Sequence, residues 1–235
     1  MSSADFPDFP AITVRDIVGA EKALLDELGI KHLVAGAGPS YGGYQAFQWS
    51  VTYPEMMDGI VAVATAPRTA TDAASIANLE SWFATDPQWN GGWCYDGGGA
   101  GALLTEMRVE ALKRWGIEAV LKQDYPDPTE RAAEIRKRAQ EWAQKWDANS
   151  SVILRRATIG FDTVPDFPKI KAKLLYVLCR SAVAFPPTIA PWYLRALKDA
   201  GVDAQYFEID SDFGHMQAVS NTPNGRPRCA SFSHP

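Results

Sequence analysis

Apolar positions along the chain fall into two periods that alternate. Ile17, Ala20, Leu24, Leu25 and Leu28 recur at helical spacing and stop at Gly29, a natural left-handed helix end. Thr13 and Asp16 supply a capping pair at the start. The run His32–Ala37 then reads as a short buried parallel strand. A second helix is predicted over Gly42–Tyr53, ending before Pro54, and a second strand over Gly59–Thr65. The same pattern returns at Ala172–Cys179 (strand), Thr188–Ala200 (helix, ended by Gly201) and Ala204–Ile209 (strand). Helix and strand in alternation specify an α/β fold with a mostly parallel sheet and flanking helices.

Between about Asp72 and Arg156 the pattern changes. No strand is predicted there, and Glu130–Trp146 reads as a charged helix. Six of the eight tryptophans (82, 89, 93, 115, 142 and 146) fall in this stretch. It therefore reads as a helical cap inserted into the sheet, its tryptophans packing helices together or walling a pocket. The predicted layout is a discontinuous core, 1–71 and 157–221, a cap over 72–156 and an irregular tail over 222–235.

Composition narrows the function classes. The chain has 235 residues and a formal net charge of −5, with 46% apolar and 22% charged residues. Such a chain buries a core, and its mild acidity argues against nucleic-acid or anionic-membrane partners. No apolar run has the roughly 18 residues of a membrane span, and the polar, acidic start lacks a signal-peptide core. Three dispersed cysteines suit a reducing compartment. The expectation is a cytoplasmic protein without a metal site or tightly bound cofactor.

One motif carries chemistry. Gly38-Pro39-Ser40-Tyr41-Gly42 is G-x-S-x-G between a predicted strand and a predicted helix, the setting of a nucleophile elbow. Ser40 is the candidate nucleophile, and both motif glycines are read as relieving crowding in the turn. The base must be one of three histidines. His32 opens its strand at the wrong end, and His234 lies in the tail. His215 follows the last strand, so it shares the carboxyl-end rim with Ser40. The triad acid should lie after Ala172–Cys179, but residues 180–187 (RSAVAFPP) contain no carboxylate. Asp210 and Asp212 are the nearest substitutes, against a reading of both as solvated loop residues.

Longer segments extend the pattern. The pieces FPAITVRDIVGAEKALLDELGI, GPSYGGYQAFQWSVTYPEMMDGIVAVATAPR, DPQWNGGWCYD, KWDANSSVILRRATIGFD, FPPTIAPWYLRAL and EIDSDFGH occur in order. In these pieces the chain resembles the homoserine O-acetyltransferase family of the α/β-hydrolase superfamily. The resemblance implies acyl transfer from acyl-CoA, as co-substrate, to a hydroxyl of a small acceptor such as homoserine or serine. It implies Ser40 as nucleophile, His215 as general base, the Tyr41 N–H as an oxyanion donor, and Arg68, Tyr95 and Asp96 as residues lining the site. It also suggests a homodimer. Hydrolysis by water is the nearest alternative, and a catalytically impaired binding protein or gene fragment a further one. Two departures stand out. The family's acid, in a pattern like R-T-D-x-x-F-P-P, falls on Ala182. The family also carries its first strands, and the loop giving a second oxyanion N–H, ahead of FPAITVRD. The expectation is a sheet with a free edge beside Leu33.

Overall fold

The computed structural model describes residues 9–95 and 99–218. The tail expected over 222–235 lies outside them. Four strands form one parallel sheet in the order β1-β2-β3-β4: β1 Leu33–Pro39, β2 Met57–Val63, β3 Lys173–Cys179 and β4 Ala204–Ile209. Helix α1 (Val14–Glu27) precedes β1, α2 (Tyr41–Thr52) joins β1 to β2, and α8 (Ala190–Asp199) joins β3 to β4. The sequence explains these bounds. Thr13 and Asp16 form a reciprocal capping box on α1, and α2 stops ahead of Pro54, which opens a 3-10 turn.

The main core lies on one face of the sheet. Ile60, Ala62, Leu174, Tyr176 and Leu178 point into it and meet Phe47 of α2 and Leu197 of α8. Tyr176 is fully buried, and its hydroxyl donates to the Thr65 carbonyl at 2.8 Å. Neighbouring positions point the other way: Val61, Val63 and Leu175 are half-buried and Phe207 is exposed. The buried strand expected at His32–Ala37 is instead an edge strand. Among the described residues β1 pairs with β2 alone, and Val34 is 84% exposed. Its apolar run reads as interior because parallel strands are ordinarily covered on both sides.

The cap forms between β2 and β3. It comprises α3 (Ala73–Phe83), α4 (Gly101–Arg114), α5 (Ile117–Leu121), α6 (Pro128–Ala143) and α7 (Ala148–Arg156). The described residues of this stretch include no strand. Its tryptophans pack helices: Trp89 stacks on Phe83, and Trp142 on Trp146. Two apolar clusters fill it, one around Phe83, Leu104 and Val152, the other around Leu112, Leu121 and Ile135. A clasp closes its neck. Thr69 Oγ1 donates to the Thr158 carbonyl at 2.7 Å, and Thr163 Oγ1 to the Pro67 carbonyl at 2.9 Å. No helix among the described residues is long and apolar enough to cross a membrane.

Candidate active site

Ser40 is the single residue between β1 and α2, and its backbone is left-handed, with φ +53° and ψ −116°. A non-glycine residue held outside the ordinary regions costs about 1–3 kcal/mol. Neighbours hold it there. The Ser40 N–H donates to the Val63 carbonyl at 2.9 Å, and the Ser40 carbonyl accepts from Gly43 N–H at 2.9 Å and Thr65 Oγ1 at 2.8 Å. A Cβ on Gly38 would fall 2.2 Å from the Gly42 carbonyl oxygen. A Cβ on Gly43 would fall 2.3 Å from Thr65 Cγ2. At Gly42 a Cβ would meet only Pro39 Cδ, at an ordinary 3.6 Å. The second steric requirement therefore belongs to Gly43, one place beyond the motif, because Thr65, two residues past β2, crowds the helix there.

The turn sets Ser40 at the positive end of α2. The first N–H groups of a helix have no partner within it, so the Tyr41 N–H is free to serve an oxyanion. The Tyr41 side chain does something else. Its hydroxyl donates to the Leu154 carbonyl of α7 at 3.2 Å, and burial pushes its pKa up to about 12. The phenol stays neutral and ties the elbow to the cap.

His215 lies in the 3-10 turn Gly214–Ala218 after β4 and is 2% exposed. Its ring packs against Trp115, at 5.6 Å between centroids, and Phe185, at 5.8 Å, tilted 38° and 33° to them. Phe185 also packs on Tyr44, one turn along α2 from Ser40, so elbow and histidine share one rim. Among the described residues no hydrogen bond joins Ser40 to His215, and the buried Nδ1 of His215 has no partner. Burial lowers the imidazole pKa, because the charged form loses hydration. His215 is therefore neutral at neutral pH, the state a general base needs.

The two substitute carboxylates face elsewhere. Arg180 Nε donates to Asp210 Oδ1 and its terminal nitrogen to Asp212 Oδ1, both at 2.6 Å, on the surface. Neither reaches His215 Nδ1, since Arg180 at the end of β3 claims both. Ala182 is a buried methyl in the loop that meets the histidine turn. Its neighbour Ser181 accepts from the Gly214 N–H at 3.0 Å and donates to the Ser211 carbonyl at 2.7 Å.

The remaining expected residues scatter. Arg68 lies beyond β2, paired through its backbone with Asp162, its guanidinium 4.6 Å from the Trp192 ring. Tyr95 accepts a hydrogen bond from Asn149 at 2.8 Å and lines a groove of about 780 Å³ with Thr105, Gln140 and Trp146. Neither Ser40 nor His215 lines that groove. Asp96 lies outside the described residues. Sequence reasoning missed Trp115, Phe185 and Ser181 around the histidine. Only Gly116, a left-handed break after Trp115, signalled a corner there.

A family model described as the alpha/beta hydrolase fold matches residues 2–221. The homoserine O-acetyltransferase of Moorella thermoacetica is 33% identical over 88% of this chain and 61% of its own length. The Haemophilus influenzae enzyme of that name is 30% identical over 88% of this chain and 63% of its own. The chain thus spans about three fifths of these relatives. Among solved structures, homoserine O-acetyltransferase from Bacillus anthracis superimposes with TM-score 0.76 at 25% identity, covering 90% of this chain and 62% of that one. A crystal structure of an esterase superimposes with TM-score 0.78 at 26% identity, covering 91% and 64%. With the strand–Ser40–helix turn and the histidine after the last strand, the match establishes that this chain belongs to the α/β-hydrolase fold family.

Proposed function

We propose that the chain transfers an acyl group from acyl-CoA to the hydroxyl of a small acceptor, homoserine or serine by similarity to its relatives, through an acyl-enzyme on Ser40. Ser40 Oγ attacks the thioester carbonyl, and its proton passes to His215. The Tyr41 N–H stabilises the oxyanion. The departing thiolate takes the proton back, which leaves an ester on Ser40. The acceptor hydroxyl then repeats the sequence, with His215 again taking the proton. The strained, left-handed Ser40 at a helix N-terminus carries this reading. A turn kept only to cap α2 would have no use for that strain, and the Ser40 side chain makes no cap hydrogen bond.

His215 lacks the orienting carboxylate, whose loss lowers turnover by about 10⁴-fold where a triad is built around one. The reading is therefore of a slow enzyme. A second reading, hydrolysis with water as acceptor, is supported by the likeness to the solved esterase and uses the same residues.

The test is intact-mass spectrometry of the folded chain after incubation with acetyl-CoA or p-nitrophenyl acetate. A single acetyl adduct is expected, absent from Ser40→Ala. Adding homoserine, serine or buffer alone then separates transfer from hydrolysis by what discharges the adduct. A folded chain that never acylates would overturn both enzyme readings and leave a binding protein of this fold.

A further inference from the structure

The histidine turn is gripped from the cap side. Trp115 ends α4 at the corner with α5, and its carbonyl accepts the Met216 N–H at 2.9 Å, one residue past His215. The two turns touch through glycines. A Cβ on Gly116 would fall 2.8 Å from the Phe213 carbonyl oxygen, and one on Gly214 would fall 3.0 Å from the Trp115 carbonyl oxygen. The Trp115 ring is itself fixed. The Arg108 guanidinium of α4 lies 4.9 Å from it and 4.8 Å from the Trp142 ring of α6, so the cation sits between two indoles. Thus α4, α5 and α6 hold one flat ring against the imidazole, and Phe185 holds another. No hydrogen bond to Nδ1 does this work.

We propose that Trp115 is a positioning residue for His215: the cap, through this ring and its carbonyl, fixes the imidazole plane in place of a carboxylate. The proposal rests on the reading of His215 as the base. A carboxylate fixes tautomer and plane together, whereas two packed rings, tilted 38° and 33° to the imidazole, restrict its plane alone. The arrangement therefore gives up part of the rate while keeping the base aimed.

Acylation of Ser40 by p-nitrophenyl acetate is followed by intact mass for the wild type, Trp115→Phe, Trp115→Leu and Trp115→Ala, each with and without Ala182→Asp. Trp115→Phe is expected within about threefold of wild type. Trp115→Leu and Trp115→Ala are expected to lose roughly 10–10²-fold in maximal rate, the cost of a misplaced reacting group, at little-changed half-saturating ester. That loss should shrink in the Ala182→Asp background, where a carboxylate takes over the aim. Wild-type rates in Trp115→Leu would overturn the proposal, as would an equal loss in both backgrounds once Ala182→Asp by itself raises the acylation rate. If Trp115→Ala does not fold by circular dichroism, Trp115→Leu decides.

A wild-type chain that never acylates would fail the base reading instead, and NMR of histidine-labelled protein then decides the positioning. His215 ring signals, assigned with His215→Gln, should be shifted by the neighbouring rings in the wild type and Trp115→Phe. In Trp115→Leu they should move toward free-imidazole values. Signals unchanged in Trp115→Leu would overturn the proposal.

Discussion

The nucleophile turn and the histidine turn lie on one rim and are built by opposite means. Every group that shapes the elbow, except Val63 at the end of β2 and Thr65 just beyond it, lies within six residues, from Gly38 to Gly43. The histidine turn draws on partners far away in sequence: Trp115 and Gly116 in the cap, Ser181 and Phe185 after β3. The elbow stores strain in one residue. The histidine turn leaves one buried nitrogen without a partner. Local sterics thus conserve a shape that few substitutions tolerate, whereas a site assembled from distant loops can lose one member and keep its frame.

Three measurements sharpen that contrast. The largest effect is expected from Ala182→Asp, which places a carboxylate in the loop bonded to the histidine turn. Accepting a hydrogen bond from His215 Nδ1–H would restore orientation and raise the Ser40 acylation rate by at least about tenfold, up to about 10⁴-fold. It would also favour the imidazolium, so the midpoint of the pH–rate profile would move up. An unchanged profile would mean the new carboxylate never meets His215.

Ser40→Gly tests the elbow's strain. Glycine adopts φ +53° freely, so unfolding in urea should show a gain of about 1 kcal/mol with acylation abolished. A destabilised variant would mean that the serine side chain, and not the turn, carries the local stability.

The smallest effect concerns pH. Burial lowers the His215 pKa below its ordinary 6.5, so the unfolded chain binds this proton more readily than the native one. The contribution of His215 to stability is whole above pH 6.5. It declines as pH falls from there through the native pKa. Urea midpoints of wild type and His215→Phe, compared from pH 7.5 to 5.5, should therefore diverge, with the wild type losing more. Parallel curves would mean that the histidine is hydrated in solution.

Much of this was legible in the residues. Ser40 announces itself through glycines at short range, the strands at Gly59–Thr65 and Ala172–Cys179 through apolar runs and that at Ala204–Ile209 through alternation, each placed within two residues of β2, β3 and β4. The missing acid was equally plain, because RSAVAFPP contains no carboxylate to choose. What the chain could not display was long-range pairing. Asp210 and Asp212 are close to His215 in sequence, yet Arg180, thirty residues away, holds them both. The grip of Trp115 on the histidine joins residues 100 positions apart, and an isolated tryptophan before a glycine looks like any helix corner. The openness of β1 was partly visible. Its run Leu33–Ala37 looks interior by composition, and only the family's longer pattern suggested an edge.

The clasp at the neck of the cap bears on the order in which the chain folds. β2 and β3 are neighbours, with Val63 beside Val177, yet the whole cap lies between them. Bringing distant segments together costs chain entropy, by about 0.6 kcal/mol for each doubling of the loop. The cap carries its own apolar clusters around Phe83 and Leu112, and Thr69 and Thr163 lace its two ends together. A cap that collapses first turns that long excursion into a short one. Ser40 and His215 then reach a common rim across a shorter effective loop, and the same helices that hold the imidazole in the finished protein would have guided the sheet into register.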